Sequence, residues 1–269
     1  MGTIGFIGSG NMAEALIKGI ITAGLYKPAN TLISDIRAER LKQLAKKYKV
    51  KPTKGNPELV SKADIIVLSV KPQSMAEAME SIKGAVSGKK LVISIAAGVK
   101  VSRIADVLGN IAIVRAMPNT PALIGEGASA LFANAKAKPM LKKAKSIFSA
   151  VGQAVVVDNE DLIDAVTAVS GSGPAYYFLL MEEMIKAAVK LGLPEDAAKD
   201  LVLQTAKGAG MLAIEAAKNG ESPTQLRQKV TSPGGTTEAA VKVLAEGNFS
   251  LLVEAAIKKA RDRSRELSA

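Results

Sequence analysis

The sequence predicts an α/β protein in which an open, doubly wound sheet is followed by an all-helical domain. Short apolar runs of strand length alternate with helical patterns as far as Asp158, and this alternation is typical of parallel strands joined by crossover helices. Beyond Asp158 the strand signal disappears and the remaining patterns are helical. We therefore predict two domains, at residues 1–158 and 159–269.

The first turn of the chain indicates what the first domain binds. An apolar run ending at Ile7 stops at a glycine turn, and a helical pattern follows. Gly8, Gly10 and Ala13 thus have the G-x-G-x-x-A spacing, and the strand–turn–helix context, of a dinucleotide fingerprint. Gly8 permits the tight turn, Gly10 lets the backbone approach a pyrophosphate, and the helix start binds the phosphates. This predicts a Rossmann-type dinucleotide-binding domain; an ordinary glycine turn is the alternative.

Periodicity and turn residues predict the remaining elements. The later strands are predicted at 31–34, 64–69, 91–95, 111–115, 128–133 and 154–157, with helices at 37–48, 75–86 and 138–151. In the second half, helices are predicted at 160–169, 174–191, 194–218, 223–230, 234–246 and 249–267.

The end of the second predicted strand carries two conflicting cofactor signals. In a nucleotide-binding unit the adenosine ribose lies there; an acid binds the 2′-hydroxyl of NAD, whereas an arginine accommodates the 2′-phosphate of NADP. This sequence offers Ser34 and Asp35, followed by Arg37 and Arg40. Asp35 therefore favours NAD and the arginines favour NADP, unless the arginines only mark the exposed start of a helix.

Composition excludes several classes of chemistry and partner. The chain has no His and no Cys, which rules out catalytic triads, disulfides and the usual zinc sites, and we expect no metal. Net charge is +11, but aromatic residues make up only 3%, so the positive charge favours anionic small molecules over nucleic acid. No apolar stretch approaches the length of a membrane span and no signal peptide is visible; we expect a cytoplasmic protein without a membrane partner.

Two loops in the helical half combine small residues with hydroxyls. Residues 170–176 lead into a strongly apolar helix, and a tightly packed interhelical turn explains them equally well. Residues 230–237 place four hydroxyls and two glycines where a helix begins. Such a start can hold a carboxylate; the alternative is a capped helix, with Ser232 or Thr231 as the cap.

Taken together, these residues make the sequence resemble pyrroline-5-carboxylate reductase over essentially its whole length. The resemblance implies hydride transfer from NAD(P)H to the C=N carbon of 1-pyrroline-5-carboxylate, giving L-proline in the last step of proline biosynthesis. It also implies a homodimer formed through a helical dimerisation domain, often assembled into rings of dimers. The motifs that carry it are residues 4–13, 69–72, 96–98, 117–121, 161–167, 171–176 and 232–237, of which the last two are the most specific.

The resemblance also implies roles for individual residues. Thr237 would be catalytic, its hydroxyl facing the ring nitrogen one turn into the helix. The substrate would be bound by Val230, Ser232, Gly234, Gly235 and Thr236. The cofactor would be bound by Gly8, Ser9, Gly10, Asn11, Met12, Ser34, Asp35, Arg37, Asn56, Val70, Lys71, Pro72, Ala97, Gly98 and Asn119.

Some alternatives stay open. Asp35 departs from the Ser/Asn-then-Arg pattern common in NADPH-preferring members; we favour NADP(H), because Arg37 and Arg40 are retained, with NAD(H) as the alternative. A β-hydroxyacid dehydrogenase, or another imine reductase, would share the two-domain layout. The dehydrogenase mechanism, however, requires a lysine soon after the glycine loop of the helical domain, and the next lysine here is Lys186. A non-catalytic dinucleotide sensor would leave the loop at Thr237 without a purpose.

Overall fold

The computed structural model describes residues 2–268, and these contain one eight-stranded sheet. The strands lie in the order β3-β2-β1-β4-β5-β6-β7-β8. β2 and β4 lie on opposite sides of β1, so the chain changes direction across the sheet there. Open α/β sheets bind ligands at such a switch point. The strands are β1 (Ile4–Ile7), β2 (Thr31–Ser34), β3 (Lys51–Pro52), β4 (Ile65–Leu68), β5 (Leu91–Ser94), β6 (Ala112–Met117), β7 (Gly127–Ala133) and β8 (Gly152–Val156).

Helices cover both faces of this sheet, as the doubly wound prediction requires. One buried cluster joins residues such as Leu16, Leu44 and Phe148 to one face of the strands, and a second contains Leu59 and Ile104. Because β4 is buried on both faces, its continuous Ile-Ile-Val-Leu run is the pattern expected of a central parallel strand. The helices of this half are α1 (Asn11–Thr22), α2 (Ala38–Tyr48), α3 (Asn56–Lys62), α4 (Met75–Glu80), α5 (Val101–Leu108) and α6 (Leu141–Ser149).

Two strands run against the other six. β7 pairs antiparallel with β6, with Met117 opposite Ala130, and β8 pairs parallel with β7. The segment between β6 and β7 holds only a 3-10 turn, Thr120–Ile124. Such a segment cannot return the chain to the other end of the sheet as a crossover helix does. The sheet is therefore mixed, a point that strand patterns alone did not predict.

Several element boundaries differ from the predictions. The helix predicted at 75–86 ends at Glu80, and Gly84 then adopts a left-handed conformation, with φ of 76°. The helix predicted at 138–151 begins at Leu141, after a 3-10 segment. β3, α3 and α5 were not predicted. β3 has only two residues, both exposed, so it carries no apolar signal.

The rest of the chain is helical. The helix predicted at 160–169 is α7 (Leu162–Val166), followed by a π-helical turn (Thr167–Gly171). The other predicted helices are present, with their starts shifted by at most two residues. They are α8 (Gly173–Lys190), α9 (Glu195–Lys218), α10 (Pro223–Lys229), α11 (Thr236–Glu246) and α12 (Phe249–Ser268).

Contacts divide the chain into two compact units. The first contains residues up to Pro174 together with the chain from Lys258 onward, and the second is Ala175–Ile257. The first unit thus reaches beyond residue 158 and includes the end of α12. The contacts therefore divide the chain at positions other than 158/159. The predicted boundary at 158/159 stays a proposal about where one function ends and the next begins. None of the helices in residues 2–268 is long and apolar enough to cross a membrane.

Candidate active site

The glycine turn of the first unit lies at the carboxyl ends of β1 and β4. Gly8 has a φ of 88°, and a Cβ there would lie 2.8 Å from the Ser69 backbone and from Val70. The Ser69 hydroxyl donates to the Gly8 carbonyl at 2.6 Å. Only glycine fits this position, because the conformation is left-handed and the neighbouring strand is in contact.

Gly10 leaves the start of α1 open. It is the N-cap residue, no side chain caps the helix, and a Cβ on Gly10 would have no atom within 4 Å. Asn11 and Met12 are the first two helical residues. The first N–H groups of α1 therefore have no capping side chain at the positive end of a twelve-residue helix, an arrangement suited to a pyrophosphate.

Ser9, between the two glycines, is held by both polar groups of its backbone. Its N–H donates to the Asp35 carboxylate (Oδ2) at 2.7 Å, and its carbonyl accepts from Arg40 Nε at 2.7 Å. Arg40 also binds Glu14 and Gln43. Despite the opposing effect of burial, hydrogen bonds from Lys47, Arg40 and Tyr48 lower the pKa of Glu14 to about 2. This network ties the turn to α1 and α2.

Asp35 and Arg37 form a two-bond ion pair beside this turn. Arg37 Nε and Nη2 donate to the two carboxylate oxygens, each at 3.0 Å. Burial alone would raise the pKa of Asp35, but hydrogen bonds from Arg37 and from the Ser9 N–H hold it below its usual value. The Asp35 side chain is 6% exposed and that of Arg37 is 60% exposed. An open cavity of about 590 Å³ lies beside Arg37, lined also by Ala38, Glu39, Arg40 and Gln43.

Ser34, the last residue of β2, contacts Asn56, the first residue of α3. The Ser34 hydroxyl donates to Asn56 Oδ1 at 2.7 Å, and Asn56 Nδ2 donates to the Ser81 hydroxyl at 2.9 Å. Ser34 and Asn56 were both predicted cofactor contacts, whereas Ser81 was not. The partnership with Ser81 fixes the Asn56 amide and links α3 to the end of α4.

The other predicted cofactor residues follow successive strands. Val70, Lys71 and Pro72 come after β4, and Ala97 and Gly98 come after β5. Asn119 follows β6 and is 8% exposed. Its Nδ2 donates to the Ser170 carbonyl at 3.0 Å and its Oδ1 accepts from the Ala128 N–H at 2.8 Å. The side chain thus joins the end of β6 to the π-helical turn.

In the second unit, residues 231–235 form the loop that leads into α11, and Thr236 and Thr237 begin the helix. The N–H of Gly235 donates to the Ser232 carbonyl at 3.0 Å, and the N–H of Gly234 donates to Glu238 Oε2 at 2.8 Å. A Cβ on Gly235 would lie 2.7 Å from Ser232 Oγ, so the loop closes tightly on that hydroxyl. Val230 precedes the loop and is 63% exposed.

The structure excludes the capping alternative for this loop. The N-cap of α11 is Gly235, without a side-chain cap, and the Thr231 hydroxyl donates back to the Arg227 carbonyl at 2.7 Å. Within residues 2–268, no hydrogen bond engages the side-chain hydroxyls of Ser232, Thr236 or Thr237. Thr237 is the second residue of α11, so its predicted place one turn into the helix is wrong. It lies in the first turn, beside the free N–H groups.

Comparison with known proteins identifies the family. Residues 160–267 match the model for pyrroline-5-carboxylate reductase dimerisation, and residues 3–98 match that for NADP oxidoreductases, coenzyme F420-dependent. The pyrroline-5-carboxylate reductase of Pseudomonas aeruginosa is 45% identical over 267 residues, covering 98% of this chain and 96% of the relative. The chain belongs to the pyrroline-5-carboxylate reductase family.

Solved structures agree with this membership. A pyrroline-5-carboxylate reductase from Coxiella burnetii superposes with a TM-score of 0.94 at 43% identity, covering 100% of this chain and 99% of the other. The Plasmodium falciparum pyrroline carboxylate reductase, solved with NADP bound, gives a TM-score of 0.87 at 33% identity, covering 100% and 98%. The predicted family, the two-part fold and an NAD(P)H-dependent reductase are thereby confirmed.

Sequence reasoning missed the contacts of two arginines. It assigned Arg40 to a 2′-phosphate, but the guanidinium is engaged by Ser9, Glu14 and Gln43. It also gave no role to the buried Arg115, which lies in β6 and is 1% exposed. A charged residue inside an otherwise apolar strand was the available signal for Arg115.

Proposed function

We propose that this chain reduces 1-pyrroline-5-carboxylate to L-proline with NADPH, using the glycine turn of the first unit and the hydroxyl loop of the second. The observation that carries the proposal is the loop at residues 232–237. It offers three hydroxyls without hydrogen-bond partners among the described residues, together with the open first turn of α11. Hydroxyls and helix N–H groups can bind a carboxylate without a formal cation.

The residues of the first unit fit a dinucleotide. The N–H groups at Asn11 and Met12 would hold the pyrophosphate, in the space left by the missing Cβ of Gly10. Arg37 is the cation offered to a 2′-phosphate, because its side chain is 60% exposed, whereas that of Arg40 is 15% exposed and engaged by Ser9, Glu14 and Gln43. Asp35 supports this arrangement by orienting Arg37 and the Ser9 N–H instead of offering a free carboxylate to a ribose hydroxyl. These contacts favour NADP(H), with NAD(H) as the alternative.

The remaining predicted contacts are proposed for the same ligand. Ser34 and Asn56 would border the ribose, and the segments after β4 and β5 would flank the nicotinamide end. Lys71 would add a positive charge to the segment after β4, and Asn119 would act mainly by fixing the loop after β6. When bound, the reduced nicotinamide supplies the hydride.

The second unit would bind and orient the substrate. Ser232, Gly235 and Thr236 would hold the carboxylate, with Val230 and Gly234 shaping the loop around it. Thr237 would then hydrogen-bond the ring nitrogen as it changes from iminium to amine. A cyclic imine can arrive already protonated, so orientation and charge placement do more for it than a strong acid. That requirement suits a chain without histidine or cysteine.

We also propose that the active protein is a homodimer formed through the helices that match the dimerisation model. Many large apolar side chains of the second unit are exposed in the single chain, among them Phe178, Leu179 and Leu252. Burying such a surface in a second copy accounts for them better than exposure to water does. Further assembly into rings of dimers is part of the same proposal.

A substrate panel tests the proposed function. Purified protein is assayed with NADPH and either 1-pyrroline-5-carboxylate or another cyclic imine. A separate assay contains NADP⁺ and a β-hydroxyacid, and nicotinamide absorbance is followed in each. We expect turnover with the first substrate at a kcat/KM at least about a hundredfold above the others. Turnover only with the hydroxyacid favours a β-hydroxyacid dehydrogenase, and binding without turnover of any substrate favours a sensor.

A further inference from the structure

The largest fully buried side chain among the described residues is a charged one. Arg115 lies in β6, between Ser94 of β5 and Phe132 of β7, and is 1% exposed. Burying an ion costs free energy that even a good partner often does not repay, so such a pair is weak evidence for stability. A leucine here would fill the space at lower cost.

The guanidinium reaches two acids from a later part of the first unit. Arg115 Nη1 lies 3.1 Å from Glu160 Oε1, and Nη2 lies 3.7 Å from Asp164 Oδ1. Glu160 Oε1 also accepts the N–H of Val101 at 2.8 Å, where α5 begins. One buried cation thus joins β6 and α5 to the entry of α7.

Asp164 links Arg115 to α12, the last helix. Its side chain is 2% exposed, and its Oδ1 accepts a hydrogen bond of 2.7 Å from the Ser264 hydroxyl. Ser264 is itself 4% exposed although it lies near the end of α12. A buried polar contact of this kind fixes the rotation and the axial position of the helix, because a slip by one residue would leave Asp164 without this partner.

The last turn of α12 lies against the loop after β5. Gly98 has a φ of 72°, and a Cβ there would lie 2.9 Å from the Leu267 carbonyl oxygen. Leu267 is three residues beyond Ser264, on the same side of the helix. Ala97 and Gly98 are the residues proposed for the nicotinamide end of the cofactor. α12, which Asp164 anchors, therefore packs against one side of that loop.

We propose that Arg115 is a positioning residue for the nicotinamide end of the cofactor site: through Asp164 and Ser264 it holds the last turn of α12 against Gly98. The proposal rests on the proposed function, because it takes Ala97 and Gly98 as cofactor contacts. Loss of the anchor frees the Ala96–Gly98 loop on one side, while the glycine turn and Arg37 keep their own hydrogen bonds. The adenosine end should therefore bind as before.

Equilibrium binding to the full-length protein separates these two ends. NADPH is compared with adenosine 2′,5′-bisphosphate, which carries the 2′-phosphate but lacks the nicotinamide. We expect Ser264→Ala to weaken NADPH binding about three- to tenfold, the range for one hydrogen bond, and to leave the bisphosphate within about twofold. Ser264→Thr keeps the hydroxyl and should restore NADPH binding. Ser146→Ala, which removes an exposed hydroxyl of α6, should change neither ligand.

Arg115→Met should show the same selective loss of NADPH affinity as Ser264→Ala. Because removing the buried cation also weakens the sheet, a further variant separates positioning from folding. A chain ending at Arg265 keeps Ser264 but removes the Leu267 contact, and should reproduce the selective loss of NADPH affinity. Equal losses for both ligands, or unchanged NADPH binding with a lower Tm, would overturn the proposal, because either result means that the cluster only stabilises the fold. A wild-type protein that binds NADPH without reducing pyrroline-5-carboxylate would overturn the proposed function alone.

Discussion

The Asp35 carboxylate binds the Arg37 guanidinium through two hydrogen bonds, each 3.0 Å long, and also receives the N–H of Ser9. Asp35, the acid that would indicate an NAD site from sequence alone, is thus occupied by hydrogen bonds from within the protein. Arg37 keeps most of its side chain in solvent, beside the open cavity at the start of α2. The pair explains how one site can carry both signals and still favour a 2′-phosphate.

Replacing Arg37 tests this account of cofactor choice. We expect Arg37→Ala to raise the KM for NADPH about ten- to a hundredfold, because a charge-assisted contact contributes roughly 1.5–3 kcal/mol. The KM for NADH should change by less than about threefold. Steady-state rates with each cofactor give the comparison, and Arg103→Ala, at an exposed position of α5, is the matched control. Equal losses with both cofactors would mean that Arg37 does not contact the phosphate and that Asp35 favours NAD.

Thr237 is the residue whose loss should affect chemistry most selectively. Thr237→Val is nearly isosteric, so it should fold normally and bind NADPH unchanged, while kcat falls by roughly 10- to 1000-fold. If the hydroxyl donates the proton, the deficit should grow with pH, as less substrate arrives protonated; if it only orients the ring, the deficit should not vary with pH. Thr224→Val, at an exposed position of α10, is the control. Wild-type turnover across the pH range would remove Thr237 from the mechanism.

Much of the fold was accessible from sequence because burial leaves a local pattern. The run Ile-Ile-Val-Leu of β4 and the alternation of strands with amphipathic helices need no partner to be recognised. β3 could not be found this way, since its pairing with Ile33 comes from tertiary structure and not from its own two exposed residues. The antiparallel β7 depends on how the segment after Met117 turns, which its apolar pattern does not encode.

The site divides in the same manner. The glycine turn and the hydroxyl loop are contiguous motifs, so sequence indicated both. The two hydrogen bonds to the Ser9 backbone join residues separated by 26 and by 31 positions. The hydrogen bond between Ser264 and Asp164 spans 100 positions. Such pairs have no local signature, because a lone arginine or aspartate looks like a solvated surface residue. Sequence therefore indicated the candidate binding motifs, and the structure added the hydrogen bonds that hold the glycine turn and the last helix in place.

The Glu14 network predicts a pH-dependent contribution to stability. The pKa of Glu14 falls from 4.5 to about 2 on folding, so its stabilisation is fully present above pH 4.5 and is lost as the pH falls towards 2. At pH 7, Glu14→Gln should lower the free energy of unfolding by about 1–3 kcal/mol. Urea denaturation at fixed protein concentration should show this difference shrinking below pH 4.5.

The matched control for Glu14 is Glu39→Gln, which breaks an exposed pair with Lys42. It should cost less than about 0.5 kcal/mol at any pH, because exposed ion pairs contribute little. A Glu14→Gln deficit that stays constant down to pH 3 would contradict the proposed role of the carboxylate charge.

The exposed apolar surface of the second unit predicts an obligate dimer. Leu252 is 65% exposed in the single chain, and Leu252→Glu should shift sedimentation at micromolar concentration towards the monomer, with loss of activity. Burying an unpaired carboxylate at an interface costs several kcal/mol, enough to dissociate a dimer. Lys46→Glu, an exposed charge change in α2, should leave the assembly intact. A wild-type chain that sediments as an active monomer would defeat this prediction.

The central claim is that a hydride passes to the C=N carbon of pyrroline-5-carboxylate, and isotope transfer tests it most directly. NADPH carrying deuterium at its transferable C4 position is incubated with the protein and the substrate in ordinary water, and the product is analysed by mass spectrometry and NMR. We predict L-proline with a single deuterium at C5, formed in equal amount to the NADP⁺ produced. Oxidation of NADPH without deuterated proline, or proline whose C5 hydrogen comes from solvent, would contradict the account.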